Sequence, residues 1–178
     1  GRAGGGANAD NVVSDQPRYK RGLASVKMLK IWTGMRYDDT LGILPALFHL
    51  GKRGLSGMRE RTKTSGPGKK IGWLPVYMSR QAYAGVDDWL EEGLKIWESD
   101  GFKFDSGYLL PLPADDLNGC RRTMAADYTD ASALVNELLR ELRGPRWGQA
   151  EWTLAQEALV HPRAIGFWSQ HSDRRVVN

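Results

Sequence analysis

The chain has 178 residues, of which 41% are hydrophobic and 26% are charged, which is enough apolar material for one globular domain with a core. Cys120 is the single cysteine, which excludes an intrachain disulfide and a zinc site built from several thiolates. The net charge of +4 favours a polyanionic partner without requiring one, and no apolar run approaches the roughly 20 residues that span a bilayer.

The beginning of the chain differs in composition from the rest. Residues 1–16 start with a Gly-rich stretch that offers nothing to pack, so we interpret them as a disordered tail or linker ahead of one domain over residues 17–178. The first ten residues have neither the basic nor the apolar part of a signal peptide. We therefore expect an intracellular protein, located in the nucleus if it is eukaryotic and in the cytoplasm otherwise.

Two helices are predicted at the start of the domain. Apolar residues recur at helical spacing over residues 19–33 with lysines and arginines between them, which predicts an amphipathic helix with a basic outer face. Gly34 can end this helix, and Asp38 and Asp39 can open a second one that runs until Pro45. Arg36 would then lie at a junction between two helices.

A small antiparallel sheet is predicted between residues 47 and 77, where short apolar segments alternate with glycines. Its clearest part is a hairpin with arms at residues 58–64 and 71–77, joined by the sequence Ser-Gly-Pro-Gly. Lys63 would lie at the end of the first arm, beside the turn.

Helical patterning returns in the second half of the chain. Two core-packing helices are predicted, one around residues 86–97 and the other around residues 133–142. Residues 100–127 show no clear period and are interpreted as a long loop or insertion. A last helix is predicted over residues 152–159, with Pro162 interrupting it. The fold class is therefore α+β, mainly helical, with a small antiparallel three-stranded sheet.

Three short motifs carry cationic side chains suited to phosphate chemistry. They are Thr-Gly-Met-Arg ending at Arg36, Thr-Lys-Thr around Lys63, and His-Ser-Asp-Arg from His171 to Arg174. Each motif alone has an ordinary explanation, such as a solvated residue after a helix, an exposed hairpin, or a capped helix start. Their order along the chain is the informative feature.

In that order the motifs resemble the catalytic domain of tyrosine recombinases, the phage-integrase-like enzymes that break and rejoin DNA. The motif sequences are most similar to those of recombinases from eukaryotic mobile elements. Arg36, with an acidic residue three positions later at Asp39, matches the first box of the family. Lys63 matches the lysine of the hairpin, and His171 and Arg174 match the later His-x-x-Arg box. The resemblance implies a DNA breaking-rejoining catalytic core of α+β type.

The resemblance also implies a role for each catalytic residue. Arg36 and Arg174 would bind the non-bridging oxygens of the scissile phosphate, since guanidinium groups bind such oxygens bidentately and stay protonated. Lys63 would protonate the departing 5′ oxygen, and His171 would take the proton of the attacking phenol. No metal or other cofactor is expected, because these cations supply what Mg²⁺ supplies in other phosphoryl transfers.

The implied partner is double-stranded DNA. The resemblance also implies that the full-length protein forms a homotetrameric synapse, and no membrane partner is expected. Lys69 and Lys70, beside the Ser-Gly-Pro-Gly turn, are solvated turn residues with an expected role in DNA backbone contact. The family's nucleophilic tyrosine follows the His-x-x-Arg box, whereas all six tyrosines of this chain precede His171. We therefore expect the nucleophile to lie beyond residue 178 and this chain alone not to cleave DNA.

Two other functions are compatible with the same residues. The chain could be a non-catalytic DNA-binding remnant of a mobile element that keeps the cationic pocket without turnover. It could also be a helical interaction module in which the motifs are accidental. The interaction module predicts DNA binding that is absent or insensitive to salt. The other two hypotheses predict an affinity for DNA that falls steeply with salt, because they require cations that neutralise phosphates.

Overall fold

The structure, a computed structural model, describes residues 17–60, 67–68, 72–82, 88–99, 107–148 and 151–169. These residues form a mixed α+β fold with five α-helices and three small antiparallel sheets. The helices are α1 (Arg18–Thr33), α2 (Tyr37–Thr40), α3 (Trp89–Glu98), α4 (Tyr128–Glu141) and α5 (Pro162–Ile165), and Pro45–Leu47 form a turn of 3-10 helix. The tail interpreted at residues 1–16 lies outside the described residues.

Local signals account for the helix ends. Gly34 ends α1 in the left-handed conformation (φ 64°), which glycine adopts without steric cost. Asp88 caps α3 by accepting a hydrogen bond from the amide of Glu91, and Asp127 caps α4 by accepting one from Asp130. The three long predicted helices are therefore confirmed, although Val86 lies outside the described residues.

The predicted three-stranded antiparallel sheet is confirmed. It contains β1 (His49–Leu50), β2 (Gly54–Arg59) and β3 (Leu74–Ser79), in the order β1-β2-β3. Gly54 pairs with Ser79 and Arg59 pairs with Leu74, and the part of the predicted first arm at residues 61–64 lies outside the described residues. The prediction that the second arm starts at residue 71 was wrong, because Gly72 and Trp73 precede the strand.

Two further sheets are two-stranded. The strand β4 (Pro111–Pro113) pairs with β5 (Cys120–Ala125), and β6 (Arg143–Gly148) pairs with β7 (Glu151–Ala158). The interpretation of residues 100–127 as a loop or insertion was therefore wrong for the strands Pro111–Pro113 and Cys120–Ala125. The predicted helix at residues 152–159 was also wrong: this segment is a strand because β6 supplies its hydrogen-bonding partners, and Pro162 begins α5 instead of ending a helix.

The core is built around α1, which packs against α3, α4 and β3. The basic outer face predicted for α1 was wrong, because Lys20 and Lys30 are both buried. Lys20 reaches two glutamates of α4, with its Nζ 2.8 Å from Glu141 and 3.6 Å from Glu137. A helix that is covered on several sides has little surface left for a solvated stripe, so its lysines must find partners within the protein.

The second predicted helix is shorter than expected. It ends at Thr40 instead of continuing to Pro45, and Ile43 makes an isolated antiparallel bridge with Arg59. Ile43 is fully buried, so the chain leaves the helix to place this side chain in the core and its backbone beside β2. Tertiary pairing thus overrides the helical propensity of residues 41–44.

Candidate functional site

Arg36 lies in a short extended segment between α1 and α2. Its backbone is extended (φ −80°, ψ 163°), while Met35 and Tyr37 on either side of it are buried. Arg36 itself is half-buried. Because its two neighbours are packed in the core, the backbone of Arg36 is held in a defined position at the edge of the core.

Tyr37 anchors this segment through three contacts. Its hydroxyl donates a hydrogen bond to the carbonyl of Ala126 at 2.5 Å, and its ring meets that of Tyr128 edge to face at 5.4 Å between centroids. The Nζ atom of Lys30 lies 5.7 Å from the centre of the Tyr37 ring, within the range of a cation–π contact. Burial, above all, raises the pKa of the Tyr37 hydroxyl, which keeps its proton and acts as a structural donor.

Asp39 connects the Arg36 segment to β2. Its Oδ2 atom accepts a hydrogen bond from the backbone amide of Arg36 at 2.9 Å and lies 3.9 Å from Nη1 of Arg59. The amide of Glu60 also donates to the carbonyl of Gly42 at 2.8 Å. The segment with Arg36 is therefore held against the end of β2, where the connection to β3 begins.

Arg59 is a residue of this site that the sequence analysis did not identify. Along β2, Leu55 and Gly57 are buried while Ser56 is exposed, so the two-residue period puts Arg59 on the core-facing side of the sheet. Its Nε atom is buried and donates to no atom of the residues that the structure describes. The sequence did contain one signal, because Arg59 occupies a position where the alternation of β2 predicts an apolar residue. That signal points to a site only once Asp39 is known to lie next to Arg59.

The other predicted site residues, Lys63, Lys69, Lys70, His171 and Arg174, lie outside the described residues. Their roles stay predictions.

The chain that leads to His171 is anchored in the core. His161 caps α5, its Nδ1 accepting a hydrogen bond from the amide of Arg163 at 3.2 Å, and Ile165 is buried. Trp168 packs against the core three residues before His171. The His-x-x-Arg motif thus follows a segment that tertiary packing fixes in place.

The described part of this site includes a side chain whose chemistry suits an anion. The guanidinium of Arg36 is positively charged, and its fork of donors matches phosphate oxygens. Within the described ranges no group of three or more His, Cys, Asp or Glu residues could hold a metal ion. In the same ranges, no helix has the length and apolar character needed to cross a membrane.

No protein-family model matches the sequence, and no curated protein matches it.

Proposed function

We propose that this chain is the catalytic region of a tyrosine-recombinase-like enzyme that breaks and rejoins duplex DNA. In this proposal Arg36, Lys63, His171 and Arg174 surround one phosphodiester, and the α+β fold is a DNA breaking-rejoining core. The phosphoryl group passes from the 5′ oxygen of DNA to a tyrosine hydroxyl, which forms a 3′-phosphotyrosine and a free 5′ hydroxyl. Attack by another 5′ hydroxyl then releases the tyrosine and joins the exchanged strands.

One observation carries the proposal: the Arg36 segment is bonded to the end of β2, through Asp39 with Arg59 and through Gly42 with Glu60. Lys63 follows Glu60 by three residues, a length of chain that spans about 11 Å at most. Arg36 and Lys63 are 27 positions apart in sequence, and the Arg36 segment meets the strand end from which the chain continues toward Lys63. A single phosphodiester needs its guanidinium and its proton donor within such a distance.

The chemistry divides among the four side chains. The arginines hold the non-bridging oxygens as charge develops on them, Lys63 gives a proton to the leaving 5′ oxygen, and His171 takes the proton of the phenol. These groups supply the charge and the proton transfers, so the proposal includes no cofactor. In the family's order the tyrosine follows Arg174, so DNA binding by residues 1–178 and DNA cleavage are tested separately.

Binding of a labelled duplex of about 30 base pairs, followed by fluorescence anisotropy over a range of salt concentrations, tests the proposal. We expect log K to fall linearly with log salt concentration, and Arg36→Ala to weaken binding about tenfold, because a charge-assisted contact contributes about 1.5 kcal/mol. Arg121→Ala is the matched control, since Arg121 lies on β5 and pairs with Asp115 at 3.6 Å. Equal affinities for the parent and Arg36→Ala, or binding that salt does not change, would overturn the proposal.

Catalysis needs a separate measurement. In a longer protein that includes a tyrosine after Arg174, a nicked suicide substrate should trap a covalent protein–DNA adduct, and Lys63→Ala should suppress it. Salt-sensitive binding without any adduct would instead support a non-catalytic DNA-binding protein.

A further inference from the structure

The turn between β1 and β2, residues 51–54, exposes two adjacent cations, Lys52 and Arg53. We call residues 51–54 the basic turn. In the described ranges no carboxylate lies within ion-pair distance of either side chain, whereas Arg80, Lys95 and Arg121 each have one. Both side chains of the basic turn are exposed, and within those ranges neither has an acidic partner.

The backbone of the basic turn is held in one conformation. The amide of Gly51 donates to the carbonyl of Gly54 at 2.9 Å. The carbonyl of Arg53 accepts from the amide of Arg80 at 3.1 Å and from the Tyr77 hydroxyl at 3.0 Å, and Nε of Arg80 donates to the carbonyl of Gly51 at 3.2 Å. A turn that is braced from the neighbouring strand loses little conformational entropy when it binds a ligand.

Aromatic and polar side chains adjoin the basic turn on the exposed face of the sheet. His49 pairs with Ser56 and Ser56 with Tyr77, so these exposed residues form a row across the three strands. Tyr77 is 57% exposed although its hydroxyl is engaged, and a Cβ built on Gly51 would lie 3.7 Å from Nε2 of His49. Cations beside accessible rings are the pattern that nucleic-acid surfaces use.

We infer that the basic turn, together with His49 and Tyr77, is a second contact site for the phosphate backbone of duplex DNA, separate from the Arg36 segment. The inference rests on the proposed function, because it assumes that the chain binds DNA. Gly54 and Arg59 are the two ends of β2, and a strand of this length spans about 17 Å. A duplex whose axis runs along β2 would bring phosphates about five base pairs apart to the two sites, because B-DNA rises about 3.4 Å per base pair.

The test compares the parent with Lys52→Gln/Arg53→Gln in the anisotropy assay on the same duplex. We expect about tenfold weaker binding near 0.1 M salt and a slope of log K against log salt that is smaller by about two, because each neutralised phosphate contributes about 0.9. Arg121→Gln/Arg140→Gln removes the same charge from exposed positions on β5 and α4 and should leave the slope near the parent value. Lys52→Arg/Arg53→Lys keeps both charges and should restore the slope.

The outcomes separate the two proposals. If Arg36→Ala weakens binding while the basic-turn variant behaves like the charge-matched control, the second site is wrong and the proposed function stands. If the basic-turn variant weakens binding and Arg36→Ala does not, the second site stands and the proposed catalytic pocket is wrong. A parent that does not bind DNA overturns both. A parent that binds poly-glutamate and does not bind the duplex at equal charge concentration would show an acidic protein surface to be the partner instead of DNA.

Discussion

The hydroxyl of Tyr19 joins α1 to β4 by donating to the carbonyl of Pro111 at 2.6 Å from a fully buried position. Burial, as the main cause, raises the pKa of Tyr19 above its ordinary value of 10.0, and it does the same for Tyr37. The hydrogen bond to Glu141 raises the pKa of Lys20 above 10.5. All three groups hold their protons more tightly in the folded chain, so their contribution to stability is present below pH 10.0 and lost as the pH rises further.

Tyr19→Phe should change stability differently at neutral and alkaline pH. At about pH 7 we expect a loss of about 1 kcal/mol, because the carbonyl of Pro111 loses its donor. Above about pH 10 the stability of the variant should fall less steeply than that of the parent, because a phenyl ring has no proton to release. Urea denaturation across this pH range measures both effects, with the exposed Tyr77→Phe as control. Parallel pH profiles for parent and variant would contradict the argument.

At the scale of one element, β2 depends on two glycines that differ in what surrounds them. A Cβ on Gly54 would lie 2.1 Å from the backbone oxygen of Met78, and a Cβ on Gly57 would lie 2.4 Å from Cδ1 of Phe48. A paired strand cannot move away without losing its hydrogen bonds, whereas the partly buried Phe48 can change rotamer.

Gly54→Ala should therefore lower the free energy of unfolding by about 3 kcal/mol, and Gly57→Ala by about 1 kcal/mol. Gly72→Ala is the control, since no atom of the described ranges lies within 4 Å of a Cβ at that position. The midpoints of urea denaturation decide the order of the three. A larger loss for Gly57→Ala than for Gly54→Ala would mean that the sheet adapts more easily than the aromatic ring.

Helices whose apolar residues repeat over several turns could be predicted from the sequence. Strands that form only because another segment pairs with them could not. The helices α1, α3 and α4 follow from spacing and caps within each segment. The segment Glu151–Ala158 contains alanine, glutamate, glutamine and leucine, which favour a helix, yet it is β7 because it pairs with β6. At Arg36 the junction between two helices was predicted correctly, while the link from Asp39 to Arg59 required contacts across 20 positions.

At the scale of the whole molecule, the segment 107–126 is anchored in the core through a few buried residues, among them Leu109. Leu109 is 0% exposed, and its carbonyl accepts a hydrogen bond from the indole of Trp97 at 3.0 Å. The amide of Tyr19 donates to the carbonyl of Leu117 at 2.8 Å. In contrast, no residue of β6 or β7 with a described side chain is buried.

This contrast predicts two different responses to change. Leu109→Ala should lower the free energy of unfolding by about 3 kcal/mol, because it leaves a cavity in the core. Replacing residues 145–156 with a short Asn-Gly turn, which keeps the paired Arg143 and Ala158, should lower it by less than about 1 kcal/mol. Thermal or urea denaturation compares them. A shortened hairpin that unfolds the protein would show that this sheet supports the core.

The sequence by itself determined the three long helices and the three-stranded sheet, because each depends on residues close together in the chain. Only the tertiary structure decided that Lys20 and Lys30 are buried, that residues 111–125 and 151–158 contain strands, and that Asp39 faces Arg59. These features join segments distant in sequence. Whether a cation is solvated or buried, or a strand paired or absent, depends on what packs against it, and a linear pattern does not contain that information.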